Sequence, residues 1–209
     1  MAITTYAELK TAVARWTSGA DSATPTTAGI PNTIDDLITI AEQRIFREAW
    51  TKDREGAFNQ AISSGAIAVP TDYVKFKFAY IDGTPVQSLE RRSATWIYSN
   101  FGTRSSVGKP KYIARDATNF IFGPFPDSGY TVKGVYYNRP GTLSSAAYNL
   151  FTNNPDLYLF ACLAESSILI GRDDRIPLWE AKYNAILAKV NLLDQAEDVS
   201  GGDLQMRLG

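Results

Sequence analysis

Apolar positions recur at helical spacing near both ends of the chain and at strand spacing between them. From Ile34 onward, Leu37, Ile38, Ala41 and Ile45 share one helix face. The same rhythm returns over residues 157–170 and again over 176–193. Between them, roughly over residues 65–137, short alternating runs are broken by Gly, Pro and Asp. This pattern predicts an α+β chain: a bundle of about four helices, two from each end, with an inserted antiparallel β-rich region. Residues 1–53 and 138–197 are expected to form one helical domain, 54–137 a β-rich subdomain and 198–209 a flexible tail.

Local signals refine this. Thr5 with Glu8 three residues on forms a capping box, and Leu9, Val13 and Trp16 mark the first helix's apolar face. Residues 17–31, dense in Ser, Thr, Gly and Ala around Pro25, read as a loop. Thr33 and Asp36 open a second helix expected to run to about Trp50. In the middle, strands are expected over 65–69, 74–78, 112–115, 119–122 and 130–137, with a short run from Val86 to Leu89. Pro124 and Pro126 should stop any strand at Phe125. Asn154 with Pro155 at the first helical position opens a third helix ending near Gly171. Asp173 or Asp174 caps a fourth, whose stripe is Trp179, Tyr183, Ile186, Leu187, Val190 and Leu193.

Composition narrows the function. Of 209 residues 44% are hydrophobic and 21% charged, which suits a packed globular chain. A net charge of −1 argues against general coating of nucleic acid. The 11 Tyr and 4 Trp suit either interfaces or a Tyr-rich sheet core. Met1 to Leu9 lacks an apolar stretch, so no signal peptide is expected, and no apolar run approaches the ~20 residues of a membrane span. The single Cys162 lies in an apolar helical stretch and reads as a small buried hydrophobe.

The chain holds no histidine, which removes every Ser–His or Cys–His pair and the commonest neutral metal ligand. No cofactor or metal is expected. The stretch from Gly102 to Pro110 fails as a phosphate loop, because five residues separate its glycines and Pro110 stands where a hydroxyl residue is needed. Asp35/Asp36 and Asp173/Asp174 fall at helix starts, where capping explains them. Glycan hydrolysis would need two carboxylates facing across a cleft, and Glu42, Glu55, Asp72, Glu90 and Glu165 are the candidates. The polar face of the second helix, with Glu42, Arg44, Arg47 and Glu48, reads either as a solvated face or as a subunit seam. Leu204, Met206, Arg207 and Leu208 lie in a tail too short for its own core, either frayed or docked on something else.

Several landmarks, in order, resemble the head-to-tail adaptor (portal-binding connector) proteins of short-tailed, podovirus-like bacteriophages. They are Tyr6-Ala7-Glu8-Leu9, then Ile38-Thr39-Ile40-Ala41-Glu42-Gln43-Arg44-Ile45 with Arg47, and Val69-Pro70-Thr71-Asp72-Tyr73. Gly108-Lys109-Pro110-Lys111-Tyr112, Phe122-Gly123-Pro124-Phe125-Pro126-Asp127, Tyr136-Tyr137 with Leu143, Asn154-Pro155-Asp156-Leu157-Tyr158-Leu159, and Trp179 with Tyr183 follow. The resemblance implies a non-enzymatic virion protein of the neck, made in the cytoplasm of a bacterial host. It implies a ring, dodecameric in the family, seated under the portal protein and presenting a platform to tail and nozzle proteins. Packaged DNA would pass through the ring without sequence-specific binding, and no membrane is involved. The tail would then be a strap whose Leu204, Met206, Arg207 and Leu208 dock on the portal. The alternative function is a muramidase-like cell-wall glycan hydrolase carried by a tail-associated protein.

Overall fold

The structure, a computed structural model, describes residues 3–18, 33–102, 106–145, 148–166 and 174–200. It is mixed α+β: helices from the two ends pack together, and two small sheets lie between them in the chain. Two compact units result, Met1–Arg54 with Pro140–Gly209, and Glu55–Arg139.

In the helical unit, α1 (Tyr6–Ser18) starts as the capping box predicts. The Thr5 N–H donates to Glu8 Oε2 at 3.0 Å, and the Glu8 N–H donates to Thr5 Oγ1 at 3.2 Å. Helix α2 (Thr33–Glu48) stops two residues short of Trp50. Its end is closed by Arg54, which follows it in a short 3-10 turn and is 1% exposed. The Arg54 guanidinium donates to the carbonyls of Phe46 and Ala49 and lies 5.5 and 5.4 Å from the rings of Phe46 and Trp50. A cation thus sits on the negative pole of the helix and satisfies carbonyls that have no partner within it.

Helices α4 (Asn149–Asn153) and α5 (Pro155–Glu165) come next, followed by α6 (Ile176–Ser200). Helix α5 is apolar nearly all round, and it is the central element, touching α1, α2, α4 and α6. Its Leu157, Tyr158, Leu163 and Cys162 are fully buried, and burial pushes the Cys162 thiol up, as expected of an inert packing residue. Asn154 occupies the cap position before Pro155, but its side-chain amide donates back to the Leu150 carbonyl at 3.3 Å rather than capping α5. The short α4, absent from the sequence reading, supplies that carbonyl. Trp179 and Tyr183 of α6 are buried as predicted, whereas Leu193 is 71% exposed. Helix α6 is bounded at Ser200, two residues past Asp198, where the sequence places the start of the tail. From residue 19 the expected loop lies outside the described residues, as do Ile170, Gly171, Asp173 and residues 201–209.

The β unit is a pair of four-stranded sheets. The first has the order β1 (Glu55–Ala61), β8 (Thr131–Asn138), β3 (Tyr73–Ile81), β4 (Gln87–Ser88), and is antiparallel throughout. The second has the order β2 (Ala66–Ala68), β7 (Asn119–Gly123), β6 (Tyr112–Asp116), β5 (Glu90–Arg91). Its β5–β6 pair is parallel, an exception to the antiparallel expectation. Phe58, Ile67, Phe76, Ile113, Phe120 and Val132 form the shared core. Phe58 meets Phe76, Phe120 and Tyr136 edge-on at 5.1, 5.9 and 6.2 Å, the arrangement aromatic quadrupoles favour.

Two elements here escaped the sequence. Strand β1 does not alternate, and only Phe58 of its side chains is buried. Gly56 sits in it because a Cβ there would come within 3.0 Å of the Tyr136 ring. Helix α3 (Ala94–Phe101) packs on β6 and β7 and is capped by Ser93 Oγ, which accepts from the Trp96 N–H at 3.1 Å. The alternation of Val74, Phe76 and Phe78 also breaks. Register shifts on either side of Phe76 reset the inward face to Phe76, Ala79 and Ile81, and Phe78 turns outward to stack on Tyr80.

Candidate functional site

The charged motif of α2 divides by burial. Glu42 is 2% exposed, and its Oε1 accepts from the Leu143 N–H at 2.7 Å and the Tyr148 hydroxyl at 2.9 Å. Tyr158 donates in turn to the Tyr148 oxygen at 3.1 Å. The carboxylate therefore pins the segment after the sandwich to α2. Burial pushes Glu42 up from the ordinary carboxylate value, and the two donated hydrogen bonds oppose this.

Arg44 binds three carboxylates from the same unit. It pairs with Glu180 through both terminal nitrogens, with Glu165 at 3.0 Å and with Glu48 at 3.4 Å. Its guanidinium lies 4.4 Å over the Tyr183 ring, and the Tyr183 hydroxyl donates to Glu48 Oε2 at 2.6 Å. Arg44 thereby ties α2 to α5 and α6. Hydrogen bonding to Glu180 raises the Arg44 pKa, and the same bond holds Glu180 below the ordinary carboxylate range. Of the four α2 residues singled out in the sequence, Glu42, Arg44 and Glu48 are engaged inside the subunit. Arg47 is exposed, its Nε donating to the Gln43 carbonyl at 3.1 Å. The tail candidates Leu204, Met206, Arg207 and Leu208 lie outside the described residues.

The five hydrolase candidates are divided between the two units, and each is held by a different donor. Glu42 serves Leu143 and Tyr148, and Glu165 serves Arg44. In the sandwich, Glu55 accepts from Lys77 at 2.8 Å, Asp72 from the Tyr136 hydroxyl at 3.1 Å, and Glu90 from Arg92 at 2.7 Å. Among the described residues no group of three or more Cys, Asp or Glu is placed to hold a metal ion.

The remaining motifs meet one another. Asp72 joins Tyr136 through its side chain, and its carbonyl accepts from the Arg139 N–H at 2.7 Å. The segment around Gly108 pairs with the one around Phe125: Gly108 N–H donates to the Phe125 carbonyl at 2.8 Å, and Lys111 N–H to the Gly123 carbonyl at 2.9 Å. Tyr6 and Lys10 both reach Asp35, at 2.6 and 2.7 Å, fastening α1 to the start of α2. Burial pushes Asp35 up, but the bonds from Lys10 and Tyr6 outweigh it and lower its pKa.

What the molecule leaves outward is surface. Phe78, Val86, Leu178, Leu192 and Leu193 are all more than half exposed. Arg92 lies 5.2 and 5.6 Å from the rings of Trp96 and Tyr112 on the sandwich. Sequence reasoning missed this group with α3, although Ser93 three residues before Trp96 was a usable cap signal.

A scaffold whose motif residues fasten its own elements together, and which leaves a few large apolar side chains outside, suits a protein that presents surfaces to partners. Comparison with protein families agrees. The SU10 adaptor protein model matches residues 4–207, and the chain belongs to that family, the head-to-tail adaptors of phages. Membership in an adaptor family points to a structural role in the virion and to binding other virion proteins. Comparison with curated proteins returns no match. No helix among the described residues is long and apolar enough to cross a membrane.

Proposed function

We propose that copies of this chain form a homomeric ring, dodecameric as in the resembled adaptors, beneath the portal protein. Tail and nozzle proteins assemble on its far side, and packaged DNA passes through the centre without sequence-specific contacts. The family match over residues 4–207 carries this reading. The internal use of Glu42, Arg44, Asp72 and Tyr136 supports it, because residues committed to rigidity leave a fixed outer surface for partners. Residues 201–209 follow directly on α6, and Leu204, Met206, Arg207 and Leu208 are assigned here to portal docking. Arg47 is the α2 residue assigned to a subunit seam.

Electron microscopy of the virion neck tests the ring: a collar of this chain between portal and tail is expected, and particles whose collar lacks it overturn the reading. Portal co-sedimentation tests the tail: the full chain is expected to bind and a chain truncated after Ser200 to bind weakly. Unchanged co-sedimentation removes the tail's role. A peptidoglycan turbidity assay is expected to show no clearing, and clearing abolished by a Glu-to-Gln change would restore the hydrolase alternative.

A further inference from the structure

The two sheets of the sandwich end in four edge strands, and three of them are blunted. In the first sheet β4 is two residues long, and the Gln87 side-chain amide donates to the Ser88 carbonyl at 3.0 Å. In the second sheet β5 is two residues long and both are charged, Glu90 and Arg91, while β2 has three residues. Shortness and charge are the usual guards against pairing with a foreign strand.

Strand β1 has neither guard. It runs for seven residues with no Lys, Arg or Pro, and no bulge breaks its register with β8. Its one charged residue, Glu55, stands at the end and accepts from Lys77. The ladder fixes which backbone groups face outward. The Ile62 N–H donates to the Tyr130 carbonyl at 2.8 Å, and Ile62 continues the register that sets Ala61 opposite Thr131. Bonded pairs alternate along an antiparallel ladder, so Gly56, Phe58 and Gln60 are the residues that bond β8. Ala57, Asn59 and Ala61 turn their N–H and C=O groups the other way. In keeping with this, the Thr131 carbonyl opposite Ala61 accepts from the Asp82 N–H, on the β3 side, at 2.9 Å. Among the described residues no backbone partner reaches Ala57, Asn59 or Ala61 on their outward side, and all three are exposed.

A regular row of bare donors and acceptors specifies its occupant more narrowly than an apolar face does. It takes an extended polypeptide, and side chains at alternate positions select among such segments. On the outer face of the sheet Ala57 lies opposite Val135, and Val135 lies opposite Phe78, which is 51% exposed. This row is apolar but small at its β1 end, so a large apolar side chain beside Ala57 extends it. The next row, Asn59, Lys133 and Tyr80, is polar at β1. A second copy fits less well. Pairing β1 with β1 is isologous and is used up between two copies, and the other three edges are too short to match it.

We propose that β1 accepts, as an added antiparallel strand, an extended segment of a different virion protein. That segment sets a large apolar side chain beside Ala57 and a polar one beside Asn59. The inference deepens the binding of other virion proteins that adaptor membership implies, and it is indifferent to the number of copies in the ring.

Nuclear magnetic resonance of the full-length chain with a soluble probe peptide tests it, the probe alternating Val or Leu with Thr between terminal lysines. In the free chain the Phe58 and Gln60 amides should exchange slowly with solvent, and those of Ala57, Asn59 and Ala61 rapidly. Saturating probe should slow these three by about tenfold or more. A probe N-methylated at its Val and Leu residues, or carrying Ser in their place, should bind at least about tenfold more weakly. Asn59→Pro removes an outward N–H that the fold does not use. It should keep the parent's melting temperature and weaken probe binding by about fivefold or more. Should it melt early, the N-methylated probe decides the matter on the unaltered chain. Unchanged exchange at the three amides, or an N-methylated probe that binds as well as its parent, overturns the proposal. If the chain alone dimerises in sedimentation velocity and Asn59→Pro abolishes the dimer, the edge belongs to a second copy and the proposal also fails. In assembled particles a photo-crosslinking residue in place of Gln60 should capture a different virion protein, and capture of this chain alone overturns the proposal. Failure of the ring reading shows separately, as a virion collar without this chain.

Discussion

Replacing Glu42 by alanine and by glutamine separates what its oxygen does from what its charge does. Alanine leaves the buried Leu143 N–H and Tyr148 hydroxyl without their acceptor, at about 1–3 kcal/mol each. With the lost packing volume, Glu42→Ala should cost roughly 3–5 kcal/mol. Glutamine keeps a carbonyl oxygen within reach of both donors and removes the ionisation, so Glu42→Gln should stay within about 1 kcal/mol of the parent. The pH dependence has a definite sign. Glu42's folded pKa lies above its ordinary value of 4.5. Its contribution is therefore fully present below that value and is lost as pH rises through the folded pKa. Tyr6, Tyr148, Tyr158 and Cys162 feel the Glu42 charge, but burial pushes each of them up, so they stay protonated in this window. Urea unfolding followed by far-ultraviolet circular dichroism, from pH ~4 to ~8, should show the glutamine variant gaining on the parent as pH rises. A Glu42→Ala loss below about 1 kcal/mol, or a glutamine variant that falls behind as pH rises, would refute the assignment.

Arg44→Met should cost roughly 1–3 kcal/mol, less at high salt because Glu48 and Glu180 are partly exposed, as thermal melts in low and high salt would show. Glu180 slopes the opposite way to Glu42: its Arg44-lowered pKa gives stability that is present above 4.5 and lost as pH falls through the folded value, a loss that Arg44→Met should remove from the acid limb of the profile. Gly134→Ala should destabilise the sandwich by about 2–3 kcal/mol or more, because the new Cβ would stand 2.3 Å from the Phe78 carbonyl oxygen; an unchanged melting temperature would contradict this. Phe76→Ala should cost about 3–5 kcal/mol while Phe78→Ser stays within about 0.5 kcal/mol in the same chemical-denaturation assay, and equal losses would return Phe78 to the core.

The helical part was readable because its signals are local. The Thr5–Glu8 box, the α2 stripe and Pro155 at the start of α5 each act within a few residues. The sandwich was readable only where strands alternate. Strand β1 has one buried anchor, Phe58, whose partners Phe76, Phe120 and Tyr136 lie far along the chain. The two register shifts in β3 leave no mark in the alternation of Val74, Phe76 and Phe78. Helix α3 was overlooked because Trp96, Tyr98 and Phe101 resemble strand residues in a strand-rich neighbourhood, even though Ser93 caps it. The charged face of α2 showed the same limit. Period and composition reveal that Glu42, Arg44 and Glu48 share a polar face, but whether that face meets water, a neighbour or the chain's own helices depends on elements more than 100 residues away.

Strands β1 and β8 are the first and last of the sandwich, and they lie side by side, Glu55 opposite Tyr137. The polypeptide therefore goes out into the sandwich and comes back through neighbouring strands, with about 5 Å between paired backbones. An excursion tethered at one spot can be exchanged, lengthened or reshaped while the helices on either side keep their own packing. Selection can then alter this stretch of the chain without rebuilding the helical packing encoded before and after it.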